Sequence, residues 1–548
     1  MSLRRAVFFL LCLAFAIALG AAAWAVRPGG VAGWALLAAL AGLLPWVALS
    51  AAQAVTGLSI LLLSLDPPGC VLPAARRAVP VAGRVALAMC IRNEAMAAPL
   101  AALGRLLDEL PDTNVDAWLL SDTRDPGFVA AEDAALRGFR SSRADGERIF
   151  LRRRADGAGF KAGNVMAFLD AEGGAYEMVV ILDADSEMSG NAVRQLTGIL
   201  AADPRIALVQ QLIVGRPTPQ PFPRLFQFGM RAGMRAWATG QGWWQGPHGP
   251  FWGHNAAFRV APFRAHARLQ PLPDGRFPLS HDQLEAIALH QAGWQVWCWP
   301  EERGSLEGNP PALPEFLRRD ERWAEGNMQY LPLLRRPGLG GMARWQLAQA
   351  VLLFLCAPLW VLAFVAAAVA ALAGGFAGVG AGALAGAMLA WWAAMHAPKL
   401  AGYLQLLVQG REAARYGGRG RVLAGALAEI AFTTVLSPVS AVNKTGFLLR
   451  LLRGARGGWA PQNRADRGVS WGDAARLLGR PTLLGVAAFA VLAAGAPWAI
   501  PFALPWAGGL LLAIPFCVLT TNPRFGAALA ARGIAATPEE RQPGAVSS

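Results

Sequence analysis

Two long apolar blocks bracket a polar island, and that arrangement limits the fold of this chain more than any single motif does. Residues 1–65 hold one apolar run to about Ala25 and a second from about Val31 to Leu65. A helix needs about 20 apolar residues to cross a bilayer, so each run can span one. Residues 346–408 predict two further transmembrane helices and residues 481–522 two more. A chain of 548 residues that is 55% hydrophobic and 16% charged suits a multi-pass membrane protein better than a soluble enzyme. The competing reading of the first run is a signal peptide cut near Ala21-Ala22-Ala23. Arg4 and Arg5 favour a cytoplasmic N-terminus, and two crossings return the chain to the cytoplasm by Asp66.

The net charge of +14 is nearly all arginine; Lys161, Lys399 and Lys444 are the only lysines. The arginines cluster beside apolar segments, as anionic lipid and a cytoplasmic face favour, so the charge predicts membrane lipid as a partner and no nucleic acid. The six cysteines show no paired spacing, which excludes a disulfide framework or a zinc knuckle. Residues 409–480 are basic and expected to be cytoplasmic. Within them, 422–449 is apolar but carries Pro438, Asn443 and Lys444. A crossing there would export the basic stretch that follows, so an interfacial or re-entrant helix is expected. Residues 523–548 read as a disordered tail.

Between the blocks, residues 66–345 change character. Short apolar runs alternate with longer mixed stretches, which predicts an α/β domain with a mostly parallel sheet inserted between the membrane helices. Ligands in such sheets sit outside the carboxyl ends of the strands, where Asp122, Asp183 and Asp185 fall. Asp183-Ala184-Asp185 follows the apolar Val179-Val180-Ile181-Leu182, and its two carboxylates can turn toward one divalent cation. Asp122 repeats the strand-then-acid pattern; it is either a nucleotide contact or a turn residue before Asp125-Pro126-Gly127. Lys161, the one lysine of the island, is either a phosphate contact or an exposed base. Asp282 opens a helix-like stretch and is either its cap or a general base. Arg319 and Arg322 share a helical side with Trp323 alongside, a pattern for phosphate and sugar. Trp252 and its tryptophan neighbours suit a sugar groove or core packing, and His254 reads as a hydrogen-bonding wall residue.

Asp122, Asp183-Ala184-Asp185, Asp282 and Arg319-x-x-Arg322-Trp323, in that order and flanked by membrane spans, resemble the processive family 2 membrane glycosyltransferases. Phe251-Trp252-Gly253-His254-Asn255, Ser280-His281-Asp282 and Pro398-Lys399-Leu400 are most similar to the branch that makes the β-1,2 backbone of osmoregulated periplasmic glucans. The resemblance implies a GT-A type domain in the cytoplasm, at the inner membrane of a bacterium. It implies UDP-glucose and a growing glucan chain as substrates, Mg²⁺ or Mn²⁺ as cofactor, and periplasmic glucan-processing proteins as partners. Asp183 and Asp185 would hold the metal and UDP, Asp122 the nucleotide, and Asp282 would be the base. Lys161, Arg319, Arg322, Trp323, His254 and Trp252 would contact substrate, and 459–464 would match a gating loop. The residues alone leave open transfer of one sugar to a lipid carrier, a different β-glucan synthase, or a silent transporter or scaffold.

Overall fold

A computed structural model of the chain describes residues 3–111, 114–456 and 467–541. Its strands all lie in the polar island: β1 (Val85–Ile91), β2 (Val115–Ser121), β3 (Ile149–Arg153), β4 (Met178–Asp183), β5 (Glu187–Met188), β6 (Ile206–Gln211), β7 (Val214–Gly215), β8 (Ala256–Arg259), β9 (Gln295–Trp299) and β10 (Ser305–Glu307). Seven form one sheet in the order β3-β2-β1-β4-β8-β6-β9. β1 to β4 run parallel, β6 and β9 run parallel to each other, and only β8 is antiparallel to its neighbours. β5, β10 and β7 make a small second sheet beside it.

Both faces of the large sheet are covered. Leu87, Met89 and Leu182 enter one core with Leu103 of the helix Ala97–Asp108 and Leu196 of the helix Gly190–Ala202. The alternating residues Ala88, Val179 and Ile181 enter the other core, with Phe168 of the helix Phe160–Ala171 and Leu289 of the helix Asp282–Gln291. A strand buried on both sides has no polar face, which explains the unbroken apolar runs in the sequence.

Among the described residues, five helices are long and apolar enough to cross a membrane: Leu3–Ala25, Gly30–Leu63, Gly341–Leu372, Arg419–Leu452 and Trp471–Gly495. Pro497–Leu510 and Ala513–Leu519, bent by 51°, make a sixth if the pair is one span. Two membrane segments and the tail differ from expectation. The second helix expected in 346–408 is split into Ala381–Met395 and Ala397–Val408. The break falls at His396, and Pro398 sits in the first turn of the second helix, where its missing N–H costs nothing. The stretch expected to be interfacial or re-entrant is one unbroken helix, Arg419–Leu452, with Pro438 inside it. Two of its charged residues are paired internally. Glu429 accepts from Tyr403 Oη at 2.6 Å and from Lys399, and Lys444 Nζ lies 3.0 Å from Asp320. The tail expected to be disordered is folded as far as Arg541, with helices Pro523–Ala531 and Pro538–Arg541. Glu539 pairs with Arg231 and Glu540 with Arg224, two guanidinium groups that are fully buried. A buried cation is costly without an anion, and these tail acids supply it.

The helix Pro221–Gln245 fastens the island to the membrane helices. It crosses Gly30–Leu63 where both backbones lack side chains: a Cβ at Gly57 would sit 1.8 Å from Ala236 O, and one at Gly240 would sit 2.0 Å from Gln53 O. Small residues at such a crossing allow backbone contact.

Candidate active site

The strand order brings the acidic motifs to one edge. β1 lies between β2 and β4, so Asp122, just past β2, and Asp183, at the end of β4, are two strands apart, about 10 Å at ordinary strand spacing. A tight turn follows β4: the Ser186 N–H donates to Asp183 O at 3.0 Å, and the Asp183 N–H donates to Ser186 Oγ at 2.9 Å. That turn carries Asp185.

Asp183 is enclosed by cations. Lys161, on the helix Phe160–Ala171, donates to Asp183 Oδ1 and, at 2.7 Å, to Gly253 O. His254 Nδ1 lies 3.6 Å from Asp183 Oδ2, and His254 Nε2 lies 3.0 Å from Glu307 Oε2. Burial works to lower the pKa of His254, but the Asp183 and Glu307 carboxylates outweigh it and raise it to about 9. The pKa of Lys161 is also raised: burial opposes the charge and the Asp183 carboxylate overcomes it.

Asp122 is held by Arg154, whose Nη2 donates to Asp122 Oδ2 at 2.8 Å. The same guanidinium donates to Phe160 O at 2.6 Å and so ties the start of the Lys161 helix to the acid. The helix-cap alternative falls to Asp125 instead, whose Oδ1 accepts from the Gly127 and Phe128 N–H groups.

Asp282 is the first residue of the helix Asp282–Gln291; the capping position is His281, and no side chain caps it. The loop before β8 reaches Asp282 through Gly253. Gly253 has φ +88°, and a Cβ there would lie 3.7 Å from Asp282 Cβ. Lys161 thus joins Asp183 to Gly253, and Asp282 lies beside Gly253, close enough that a side chain there would touch it. The helix Leu313–Met328 is packed onto the loop before Asp282: Gln329 Oε1 accepts from the Leu279 N–H at 2.8 Å and Tyr330 Oη donates to Ser280 O at 2.7 Å.

On that helix Arg319 is 8% exposed, and its guanidinium lies 4.5 Å above the Trp323 ring. Its Nε is buried without a hydrogen-bond partner among the described residues, and burial lowers its pKa against the pull of Glu307, Asp320 and Asp185. Arg322 lies on the same helix, half-buried, and Trp323 is 48% exposed.

The other tryptophans pack. Trp244 stacks on Phe8 of the first membrane helix at 4.4 Å, and Trp299 is buried against the sheet. Trp252 packs on the cluster of Leu212, Val214 and Leu306, so its ring does a core residue's work rather than forming an open sugar platform. Residues 459–464, matched to a gating loop, lie outside the described residues. Glu307 and Arg154 were missed in the sequence. Neither belongs to a recognisable motif; Glu307 ends a three-residue strand that gives little periodicity to read.

Among the described residues no group of three or more His, Cys, Asp and Glu could hold a metal ion. Asp183 and Asp185 offer carboxylate oxygens from one turn. That donor set fits a hard divalent cation that completes its shell with substrate phosphates, the usual habit of Mg²⁺.

Residues 178–404 match the family model described as glycosyl transferase family group 2. A glucans biosynthesis glucosyltransferase H from Cereibacter sphaeroides is 34% identical over 88% of this chain and 84% of its own length. The proteins of that name from Xanthomonas euvesicatoria pv. vesicatoria (33%) and Bradyrhizobium diazoefficiens (32%) match over 91% and 92% of this chain and 81% and 70% of their own lengths. Among solved structures, a mannosyltransferase from Pyrobaculum calidifontis in complex with GDP-Man and Mn²⁺ covers 65% of this chain and 98% of its own at 19% identity and TM-score 0.37.

Proposed function

Because this chain belongs to the glucans biosynthesis glucosyltransferase H family, a family of glucosyltransferases in glucan synthesis, we propose that it polymerises glucose from UDP-glucose into a β-1,2-glucan backbone at the cytoplasmic face of a bacterial inner membrane. The observation that carries this reading is the bridge of Lys161 between Asp183 and Gly253 O, with Asp282 beside Gly253. It sets a phosphate-facing acid and cation beside a carboxylate free to act as base.

In this mechanism Asp282 accepts the proton of an acceptor hydroxyl as its oxygen attacks the anomeric carbon. The new C–O bond forms as the bond from that carbon to UDP breaks. The product therefore has the opposite configuration, β from an α-linked donor. Negative charge grows on the departing diphosphate, and Lys161, Arg319 and Arg322 are placed to receive it. A divalent cation held by Asp183 and Asp185 supplies further neutralisation of that charge when bound. Asp122 fixes the nucleotide, and the exposed Trp323 ring offers a face to the acceptor sugar. The product passes to the membrane helices that contact the helix Leu313–Met328 and leaves toward the periplasm, where glucan-processing proteins receive it.

Asp282→Asn tests the chemistry. Glucan synthesis from UDP-glucose should fall by about 10²–10⁴, the usual worth of a general base, while UDP affinity stays within about twofold. Wild-type turnover in that variant removes Asp282 from the mechanism. Purified protein in sealed vesicles tests the route: UDP-glucose supplied outside should leave long glucan inside. Single sugars on lipid, or polymer found only outside, would refute processive synthesis with export.

A further inference from the structure

The loop that carries His254 is pinned to β10 at two successive residues. Asn255 is fully buried at φ +48°, a left-handed backbone that asparagine tolerates better than most residues. Its Nδ2 donates to Ser305 Oγ at 3.1 Å and to Leu306 O at 3.3 Å, the two residues before Glu307. The next link is His254 Nε2 on Glu307 Oε2 at 3.0 Å. β10 is itself held on both sides, by β5, which begins two residues after Asp185, and by β7. The Arg216 N–H, just past β7, donates to Glu307 O at 2.9 Å. Glu307 therefore projects from a backbone that is fixed relative to the Asp183–Asp185 turn.

The consequence lies in the imidazole. A carboxylate that accepts from one ring nitrogen decides where the other nitrogen points. With Nε2 on Glu307, Nδ1 is turned to Asp183 Oδ2, 3.6 Å away. Without Glu307, the Nε2 side of the His254 ring has no other hydrogen-bond partner among the described residues, and the ring can rotate from Asp183. Asp183 already bonds Lys161 through Oδ1, so His254 governs the oxygen that Lys161 leaves.

We propose that Glu307 is a positioning residue of this enzyme: it orients His254 so that Nδ1 faces Asp183 and the diphosphate of the donor. The inference rests on the reading of this site as a UDP-glucose site. It adds a residue that belongs to none of the motifs through which the site was recognised. Loss of such an orienting partner usually reduces activity or affinity by about 10–100-fold.

The test is a double-mutant cycle on the full-length protein in lipid vesicles, with Glu307→Ala, His254→Ala and both together, plus Glu307→Gln. UDP-glucose kinetics and Mg²⁺-UDP affinity are read for each. Glu307→Ala should reduce kcat/KM by about 10-fold or more. The double variant should be little worse than His254→Ala alone, because the greater part of what Glu307 does runs through His254 and only its longer-range pull on Arg319 remains. Glu307→Gln keeps an oxygen that accepts from Nε2 and should recover most of the loss; a purely structural role predicts neither the coupling nor the recovery. Should Glu307→Ala fail to fold, Glu307→Met, which keeps the volume but accepts no hydrogen bond from Nε2, carries the same cycle in the wild-type and His254→Ala backgrounds: a loss in the first that vanishes in the second supports the assignment. Wild-type kinetics in Glu307→Ala, or losses that multiply in the double variant, overturn it. If the wild-type protein forms no glucan from UDP-glucose, the functional reading fails separately, and the cycle read on Mg²⁺-UDP affinity still decides the role of Glu307.

Discussion

The helix Leu313–Met328 has two sides that differ in how their charges are satisfied. Toward the acid cluster, Arg319 is buried with an unbonded Nε and stacks on a half-exposed Trp323. Toward the membrane helix Arg419–Leu452, the acids between them have all the partners they need. Asp320 takes Lys444 at 3.0 Å and Ser440 Oγ at 3.1 Å, and Glu321 takes Asn443 Nδ2 at 3.1 Å and Arg450 at 3.2 Å. Successive residues on a helix point about 100° apart, so five consecutive residues can serve both sides. Charges satisfied from within act as fasteners. A buried cation left unsatisfied is poised for a substrate anion, because an unpaired buried polar group is otherwise costly.

The largest effect should come from the substrate side. Asp183→Asn should reduce glucan synthesis on the order of 100-fold and weaken Mg²⁺-UDP binding in parallel, measured by turnover and calorimetry. Equal UDP affinity in that variant would separate Asp183 from the donor. Arg319→Ala should follow, with a loss of about 10-fold or more in kcat/KM and little change in thermal midpoint, since it removes a cation that no hydrogen bond holds. A large drop in midpoint instead would make Arg319 another fastener.

On the membrane side the order reverses. Lys444→Met leaves Asp320 without its cation and should destabilise the protein by about 3 kcal/mol, with UDP affinity unchanged. Adding Asp320→Leu should recover the thermal midpoint, because an apolar pair can replace a buried ionic one. No recovery would show that Asp320 has work beyond its partner. Glu540→Gln in the tail should be smallest, about 1 kcal/mol of stability, with glucan synthesis intact.

The sequence and the structure agree where the physics is local. Apolar length predicted the apolar helices, and strand runs with acids at their ends predicted the mostly parallel sheet and its acidic edge. Asp122, Lys161, Asp183 and Asp282 were legible because each stands at a change of pattern, the end of a strand or the start of a helix. Charge partnership was not legible. Asn443 and Lys444 stood out in an apolar stretch, and nothing along the chain showed that Glu321 and Asp320 would meet them. The tail read as disorder because the buried Arg224 and Arg231 that hold it lie on a helix more than half the chain away.

By itself, then, the order of amino acids determined the layered plan of this protein and the edge of the sheet where its acids gather, since backbone periodicity and hydrophobic length act over a few residues. Only the tertiary structure decided which acid meets which cation: Glu307 with His254, Arg154 with Asp122, Lys444 with Asp320. Those pairings join segments distant in the chain, and an ion pair acts over a few ångströms of space rather than along the sequence.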